Sequence, residues 1–485
     1  MIPWAELVLP SIRWDPEHGY AKLTPEIERW LALGVGGFIL FGGERDAIRG
    51  LIRQLQAAAT QPLLIASDLE RGAGQQVREL TGLPPLLGLA RLGVDAVREA
   101  ARLTAREARD VGINWVFAPV VDLDLEPANP IVQTRAFGDD PEAVGALGAA
   151  WIMACQAGGV LACAKHFPGH GRTLTDSHAE LPVIASSRLA LDADIVPFRM
   201  AVDAGVASVM TAHVAYPALD PSGAAATYSV PIVGRILRGE LGFDGLVVTD
   251  ALVMKGALQG IDETEGAVRA IAAGCDLLLY PDDVAAVARA LEKAAASGAL
   301  AAERLEEAAM RRRVALQRVA EPMPLERLEL EEGRVRGADL GRAAVRVVRG
   351  TAPPAPRRAR IAVVDDDIGG PYPVPPRTVF TETLRASGVS VTMEGEGATD
   401  TGGAGPDEGA LIVLVFADVK SWKCRAGLSA ENARRLADLA RDAAVVVLFG
   451  HERRIADVPG TCPVVCAWSG DTVMQRAAAQ RLLAG

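Results

Sequence analysis

The chain has 485 residues, which at roughly 150 residues per domain allows about three domains, or one large barrel and a smaller unit. Hydrophobic residues make up 50% and charged residues 23%, which excludes a mainly disordered chain. The net charge of −11 argues against a nucleic-acid binder, which needs a basic surface. The opening MIPWAELVLPSIRWDPEHG lacks a basic start followed by a long apolar core, so it does not read as a secretory signal. The sequence holds no run of about 18 uninterrupted apolar residues that could span a membrane. The six cysteines, at 155, 163, 275, 424, 462 and 466, form no CxxC pair, so neither a zinc ribbon nor a disulfide framework is indicated. Cys462 and Cys466 flank an apolar run and read as buried thiols. The expectation is a soluble, cytoplasmic, multi-domain protein.

The first two thirds of the chain repeat one unit: a short apolar run, a polar or Gly-bearing loop, then a helical stretch. Apolar runs fall at 6–10, 37–41, 62–68, 114–121, 160–166, 207–214, 245–251 and 275–281. They are dense in Val, Ile, Leu and Phe without polar alternation, the pattern of strands buried on both faces of a parallel sheet. Helical segments separate them at 24–33, 45–58, 95–110, 141–157, 190–204, 230–241, 263–273 and 283–296. Cap signals such as Thr24-Pro25 and Asp140-Pro141 open several of these. About eight alternating units over ~300 residues predict an α/β fold of the (β/α)8 barrel type. A doubly wound sheet is the competing arrangement; size and unit count favour the barrel.

Residues 321–360 are rich in Arg, Glu and Pro and read as a helical, charged linker. A smaller α/β sandwich follows over 361–485, with strands at 361–364, 389–393, 410–416, 444–449 and 463–468 and helices such as 429–442 between them. The Gly-rich, acidic segment 395–409 reads as a mobile loop. The predicted organisation is a catalytic barrel at 1–320, the linker at 321–360 and the sandwich at 361–485.

In a barrel of this kind the active site lies at the C-terminal ends of the strands. Those ends carry Asp68 and Glu70, Asp122 and Asp124, Lys165-His166, His213 and Asp250. Four of the six histidines, at 166, 170, 178 and 213, fall in or near them; His18 and His451 do not. His451, which follows the 444–450 strand, reads as a surface histidine rather than an interface one. The densest segment is Lys165-His166-Phe167-Pro168-Gly169-His170-Gly171-Arg172-Thr173, followed by Asp176-Ser177-His178. Its Pro and Gly break any helix, so His166 and His170 are not an i,i+4 zinc pair, and no metal and no cofactor is expected. Asp176 two residues from His178 could orient it and favour its charged form, as a general acid/base needs; a solvated turn is the other reading. Asp250 closes the strand Gly-Leu-Val-Val-Thr-Asp. It reads either as a structural partner of Lys165 or an Arg, or as a nucleophile or general base.

Taken together, KHFPGHG-x-T followed by DSH, then a strand ending VVTDALVM, resembles family 3 glycoside hydrolases, in the two-domain form of the β-N-acetylglucosaminidase branch. Val35-Gly36-Gly37-Phe38-Ile39-Leu40-Phe41, Ile65-Ala66-Ser67-Asp68-Leu69-Glu70, the 114–122 stretch NWVFAPVVD and Thr134-Arg135-Ala136-Phe137-Gly138 resemble further family signatures. The resemblance covers roughly residues 1–320, and extends more weakly to the second unit.

It implies a retaining exo-β-N-acetylglucosaminidase acting on terminal β-linked GlcNAc of muropeptides or chito-oligosaccharides. Asp250 matches the nucleophile, His178 the acid/base and Asp176 its partner. Asp68, Lys165 and His166 match residues that bind sugar hydroxyls, Arg135 an Arg near the N-acetyl pocket and Met254 a Met lining the site. The chain departs from the family at Asp68-Leu69-Glu70-Arg71-Gly72-Ala73-Gly74-Gln75-Gln76-Val77-Arg78, which is longer than the usual Asp-x-Glu-Gly-Gly-Arg-Val. The second family Arg is therefore assigned to Arg78, with Arg71 as the other choice. Ala251 stands where many members have a second Asp.

Peptidoglycan recycling in the cytoplasm is the implied role. A phosphorylase is a close variant, since a His repels incoming phosphate less than a carboxylate would. A β-glucosidase, a barrel that binds sugar without turnover and a metal-dependent hydrolase are weaker readings. The expected partner is a carbohydrate with terminal GlcNAc, with no nucleic acid and no membrane; oligomeric state is not legible.

Overall fold

A computed structural model describes residues 4–177, 179–258, 260–367, 374–394, 409–420 and 423–484. Its first part is a ring of parallel strands. β1 (Val8–Leu9) and β2 (Ser11–Arg13) are two halves of one strand, parted by Pro10. β3 (Gly37–Phe41), β4 (Leu64–Ser67), β5 (Trp115–Val116), β6 (Leu161–Phe167), β7 (Ser208–Thr211), β8 (Leu246–Thr249) and β9 (Leu278–Leu279) follow. Seven of these pair in the order β2-β3-β4-β5-β6-β7-β8. β1 pairs in parallel with β9, Val8 against Leu278, and Leu277 bridges back to Val248 of β8. The sheet thus closes on itself as the expected barrel, and one continuous apolar cluster fills and surrounds it.

The helices lie where the 3.6-residue pattern places them: α1 (Thr24–Leu33), α2 (Arg45–Ala58), α4 (Val94–Val111) after the short α3 (Leu86–Ala90), α5 (Pro141–Ala157) and α6 (Arg188–Asp203). A π-helical stretch over Val230–Glu240, the short α7 (Lys255–Leu258), α8 (Glu263–Ala273) and α9 (Val284–Ala296) complete the ring. Asp140 caps α5 as its Asp-Pro signal predicts, accepting from the Ala143 N–H at 2.8 Å. At α1 the cap position is Leu23, with no side-chain bond, because Thr24 is already helical. α10 (Ala302–Leu316) covers the opposite, N-terminal end of the barrel. Its buried Arg312 donates to the Gly36 and Pro62 carbonyls, and its Arg304 to the Cys275 carbonyl.

The stretch expected as a linker is more ordered than a charged connector. It holds α11 (Arg327–Ala344) and a strand, β10 (Arg346–Arg349). Gly333, Gly337 and Gly341 form a side-chain-free stripe along α11. A Cβ on Gly337 would lie 2.4 Å from Thr81 Cγ2 of the barrel, and one on Gly341 would lie 3.3 Å from Val473 Cγ2 of the second part. One helix face therefore packs against both parts. β10 escapes a reading by apolar runs because Arg-Val-Val-Arg is only four residues long, with arginines at both ends.

The second part contains β11 (Arg358–Asp365), α12 (Val379–Ala386), β12 (Ser390–Met393), β13 (Ala410–Ala417), α13 (Ala430–Leu439), β14 (Val445–Gly450), β15 (Val464–Cys466) and α14 (Thr472–Leu483). The sheet order is β10-β15-β14-β13-β11-β12, parallel except for β10 against β15. An apolar cluster covers each face, which makes it a sandwich. Of segment 395–409, all but Gly409 lies outside the described residues. The six cysteines are free thiols; Cys466 is buried, whereas Cys462 is only half-buried because it precedes the strand rather than lying in it.

Candidate active site

The strand ends bring the predicted polar residues together. β4 leads into Asp68 and Glu70, and β6 contains Lys165 and His166. Lys165 Nζ lies 2.7 Å from Asp68 Oδ1 and 2.8 Å from Glu70 Oε1. Glu70 in turn takes a two-pronged bond from Arg135, Nε to Oε2 at 2.9 Å and Nη2 to Oε1 at 2.8 Å. Burial works against the Glu70 carboxylate, but the Arg135 and Lys165 cations outweigh it and hold its pKa well below the usual range. Burial likewise works against the Lys165 ammonium, and Asp68 and Glu70 outweigh it in the other direction. Lys165 is thus a fixed cation, locked by two carboxylates. Asp250 follows β8, and its Oδ1 accepts from the Ala251 N–H at 2.7 Å.

His166 is oriented from behind. Its Nδ1 lies 2.7 Å from Asp122 Oδ2, while Asp122 Oδ1 accepts from the His166 and His170 backbone N–H groups at 3.1 and 2.7 Å. With Nδ1 engaged, Nε2 is the ring nitrogen left to meet a ligand. His170 follows a different logic. Its Nδ1 lies 2.8 Å from Thr173 Oγ1 and its Nε2 3.2 Å from Ser177 Oγ, and burial pushes its pKa down to about 4. It is a neutral structural ring at ordinary pH. Gly171 allows this segment to lie against the next one, since a Cβ there would meet the Leu123 carbonyl oxygen at 1.8 Å. Asp176 and Ser177 are buried in the same wall. His178 lies outside the described residues.

These groups surround a cavity of about 920 Å³, lined among others by Asp68, Lys165, His166, Asp250 and Met254. That is within the size range of small-molecule sites. Arg135 also lines it, as do both Arg71 and Arg78. Arg78 sits at the rim, more than half exposed and 2.5 Å from Glu44. Arg71 is mostly buried and points toward the second sheet, 2.7 Å from Asp471 and 3.5 Å from Asp418. Asp418 and Lys420, which follow β13, line the cavity too, so the second part of the chain forms some of its wall. Among the described residues, no group of three His, Cys, Asp or Glu side chains is arranged to hold a metal ion.

Two features were not legible as site elements. Glu70 lies at a strand end, but no local pattern gives it a task, because its partner Arg135 is 65 residues away. The expectation that His451 is a surface residue is overturned. It is 6% exposed, and its Nε2 lies 2.8 Å from Asp124 Oδ2 in the barrel. Its Nδ1 accepts from the Arg453 N–H at 3.0 Å, so the proton sits on Nε2 and is donated to Asp124. Arg453 also binds Asp124. A pairing across 327 residues of sequence leaves no local signal.

Comparison with known proteins agrees with this geometry. Residues 5–315 match the glycosyl hydrolase family 3 N-terminal domain. The chain is 37% identical over 329 residues to a β-N-acetylglucosaminidase/β-glucosidase of Cellulomonas fimi, covering 64% of this chain and 58% of that protein, so it spans under two thirds of that relative. It is 40% identical over 259 residues to a β-hexosaminidase of Thiobacillus denitrificans (strain ATCC 25259 / T1), covering 50% of this chain and 71% of that one. The structure of a glycoside hydrolase family 3 β-N-acetylglucosaminidase from Paenibacillus sp. str. FPU-7 superposes with a TM-score of 0.85 at 28% identity, over 99% of this chain and 96% of that one. No helix among the described residues is long and apolar enough to cross a membrane. The closed barrel, the polar residues gathered at its strand ends and the family match over most of the barrel agree: this chain belongs to glycosyl hydrolase family 3.

Proposed function

We propose that the protein is a retaining exo-β-N-acetylglucosaminidase that removes terminal β-linked GlcNAc. The observation that carries this reading is the convergence of Asp250, Asp68, Lys165 and His166 on one cavity at the strand ends. Asp250 attacks the anomeric carbon and forms a covalent glycosyl-enzyme. Most glycosidases pair such a nucleophile with a second carboxylate. Here His178, with Asp176 as its partner, protonates the leaving oxygen and then takes the proton from the incoming water. A histidine needs little pKa tuning for both tasks near neutral pH. Asp68 accepts from sugar hydroxyls; His166 and the locked Lys165 ammonium donate to them. Arg135 borders the N-acetyl side, Met254 lines the site, and Arg78 is the second arginine of the pocket. The names of the relatives support the terminal-GlcNAc substrate.

Residues 1–320 form the catalytic unit, and 361–485, with β10 added to its sheet, the sandwich that completes the cavity wall. The proposed setting is cytoplasmic trimming of muropeptides during peptidoglycan recycling.

Release of p-nitrophenol from its β-N-acetylglucosaminide, with and without phosphate, tests the reading. Wild type is expected to turn over without phosphate. Asp250→Ala is expected to lose at least ~10³-fold in kcat, as removal of a nucleophile does. Phosphate-dependent turnover yielding the sugar 1-phosphate would replace hydrolysis with phosphorolysis. Turnover of the β-glucoside alone would overturn the substrate assignment.

A further inference from the structure

We propose that Gly256 is a positioning residue: because it has no side chain, the turn that follows Asp250 can carry the Asp176–Ser177 loop at backbone contact. The proposal rests on the reading of Asp250 and the Asp176-Ser177-His178 loop given above.

Gly256 lies in α7, six residues after Asp250. Its N–H donates to the Ser177 carbonyl at 2.9 Å. A Cβ built on it would stand 2.7 Å from that same oxygen, 3.1 Å from the Glu180 carbonyl and 3.2 Å from the His213 carbonyl. These three oxygens belong to segments following β6 and β7, so Gly256 sits where the ends of three strands meet. Its helical backbone suits any residue, and within a helix alanine is favoured over glycine by about 1 kcal/mol. Space, not conformation, therefore requires glycine here. Contacts of 2.7 Å with a backbone oxygen are relieved only by moving the backbone.

The loop is held from its other side as well. Ser177 is 2% exposed, and its hydroxyl lies 3.2 Å from His170 Nε2. The His170 ring is fixed in turn by Thr173, which Asn129 binds at 3.1 Å. Ser177 is thus clamped between a rigid ring and the Gly256 backbone. Asp176 precedes it in the chain and His178 follows it. On the other side, the His213 ring ties the nucleophile turn to β7, its Nε2 lying 3.2 Å from the Ala251 carbonyl. Displacing Ser177 would shift the acid/base loop relative to the nucleophile without touching Asp250 itself.

The test compares two substrates, a 2,4-dinitrophenyl β-N-acetylglucosaminide, whose leaving group needs no proton, and an unactivated alkyl one, which does. For Gly256→Ala, kcat/KM on the alkyl substrate should fall ~10²-fold, the scale of a displaced general acid, and that on the dinitrophenyl substrate less than ~5-fold. Equal losses on both, or none, would overturn the proposal. Ser177→Ala adds no volume and should show the same asymmetry at about tenfold; an equal loss on both substrates would again overturn it. His178→Ala serves as the reference. If it shows no leaving-group dependence, the acid/base reading itself fails; if it does and Gly256→Ala does not, the positioning role alone fails.

Discussion

The inner charge cluster and the seam between the two parts of the chain use the same chemistry for different ends. Inside, Glu70 is shared by Lys165 and Arg135, and Asp68 holds Lys165 on the side facing the cavity. At the seam, Asp124 is engaged by His451 and Arg453. Buried ion pairs of either kind contribute little stability compared with an apolar replacement. Their value lies in geometry. The inner cluster has an open side, and what it fixes is offered to a ligand. Asp124 is enclosed by protein, and what it fixes is the docking of one sheet on the other. The two are told apart by what lies beyond the last hydrogen bond, not by the residues.

Glu70→Gln is the strongest way to break this distinction. It leaves Lys165 and Arg135 buried with one negative charge fewer, a loss on the order of 3 kcal/mol. Because Lys165 faces the cavity, about 10²-fold of kcat/KM is expected to go with it, visible in steady-state kinetics on the aryl substrate. Asp124→Asn strands Arg453 in the seam and should also lose about 3 kcal/mol, read as a lowered first transition in thermal unfolding. Its kcat/KM on the same small substrate should stay within about threefold of wild type. A 10²-fold loss there instead would mean that the seam takes part in binding, and the two clusters would no longer differ in kind.

The pH dependence of stability separates His170 from the catalytic groups. Its folded pKa of about 4 lies below the ordinary histidine value, so the unfolded chain takes up a proton that the native chain refuses. The contribution is complete at pH 7 and is lost as pH falls from about 6.5 toward 4, with about 2 kcal/mol gone by pH 5. Neighbouring Asp122 titrates lower still, held down against burial by His166 and His170. Denaturant unfolding at pH 7 and pH 5 should show the slope in wild type and a smaller one in His170→Gln. Equal slopes would assign the acid sensitivity to other groups.

What the sequence revealed follows the range of the interactions. Strands buried on both faces stand out as apolar runs, so the barrel and the parallel strands of the sandwich are legible as elements, though β5 and β9 are far shorter than their runs, and β10 is not legible. Lys165, His166, Asp68 and Asp250 are legible because a barrel presents its chemistry at strand ends. The task of Glu70 and the burial of His451 depend on partners 65 and 327 residues away, and no periodicity encodes such a pairing. Spacing explains Gly256 no better, since what demands it is a carbonyl from another loop.

The glycine stripe on α11 gives the mildest test of the same contrast, on the seam side. Gly337→Ala changes two things of opposite sign. Alanine in place of a helical glycine favours folding by about 1 kcal/mol. Its methyl group would also lie 2.4 Å from Thr81 Cγ2 and 2.8 Å from the Gly82 carbonyl oxygen, and overpacking of this kind costs about 1–3 kcal/mol. The clash involves a backbone oxygen, which yields less readily than a side-chain end, so the steric effect should win by about 1 kcal/mol. For domains of this size that corresponds to a Tm lower by about 2–4 °C. Activity on the aryl substrate should be unchanged, because α11 touches the barrel through the Thr81 loop, α3 and α4 rather than the cavity. A Tm that rises would show that α11 can shift on the barrel and that helix propensity, not fit, sets its stability.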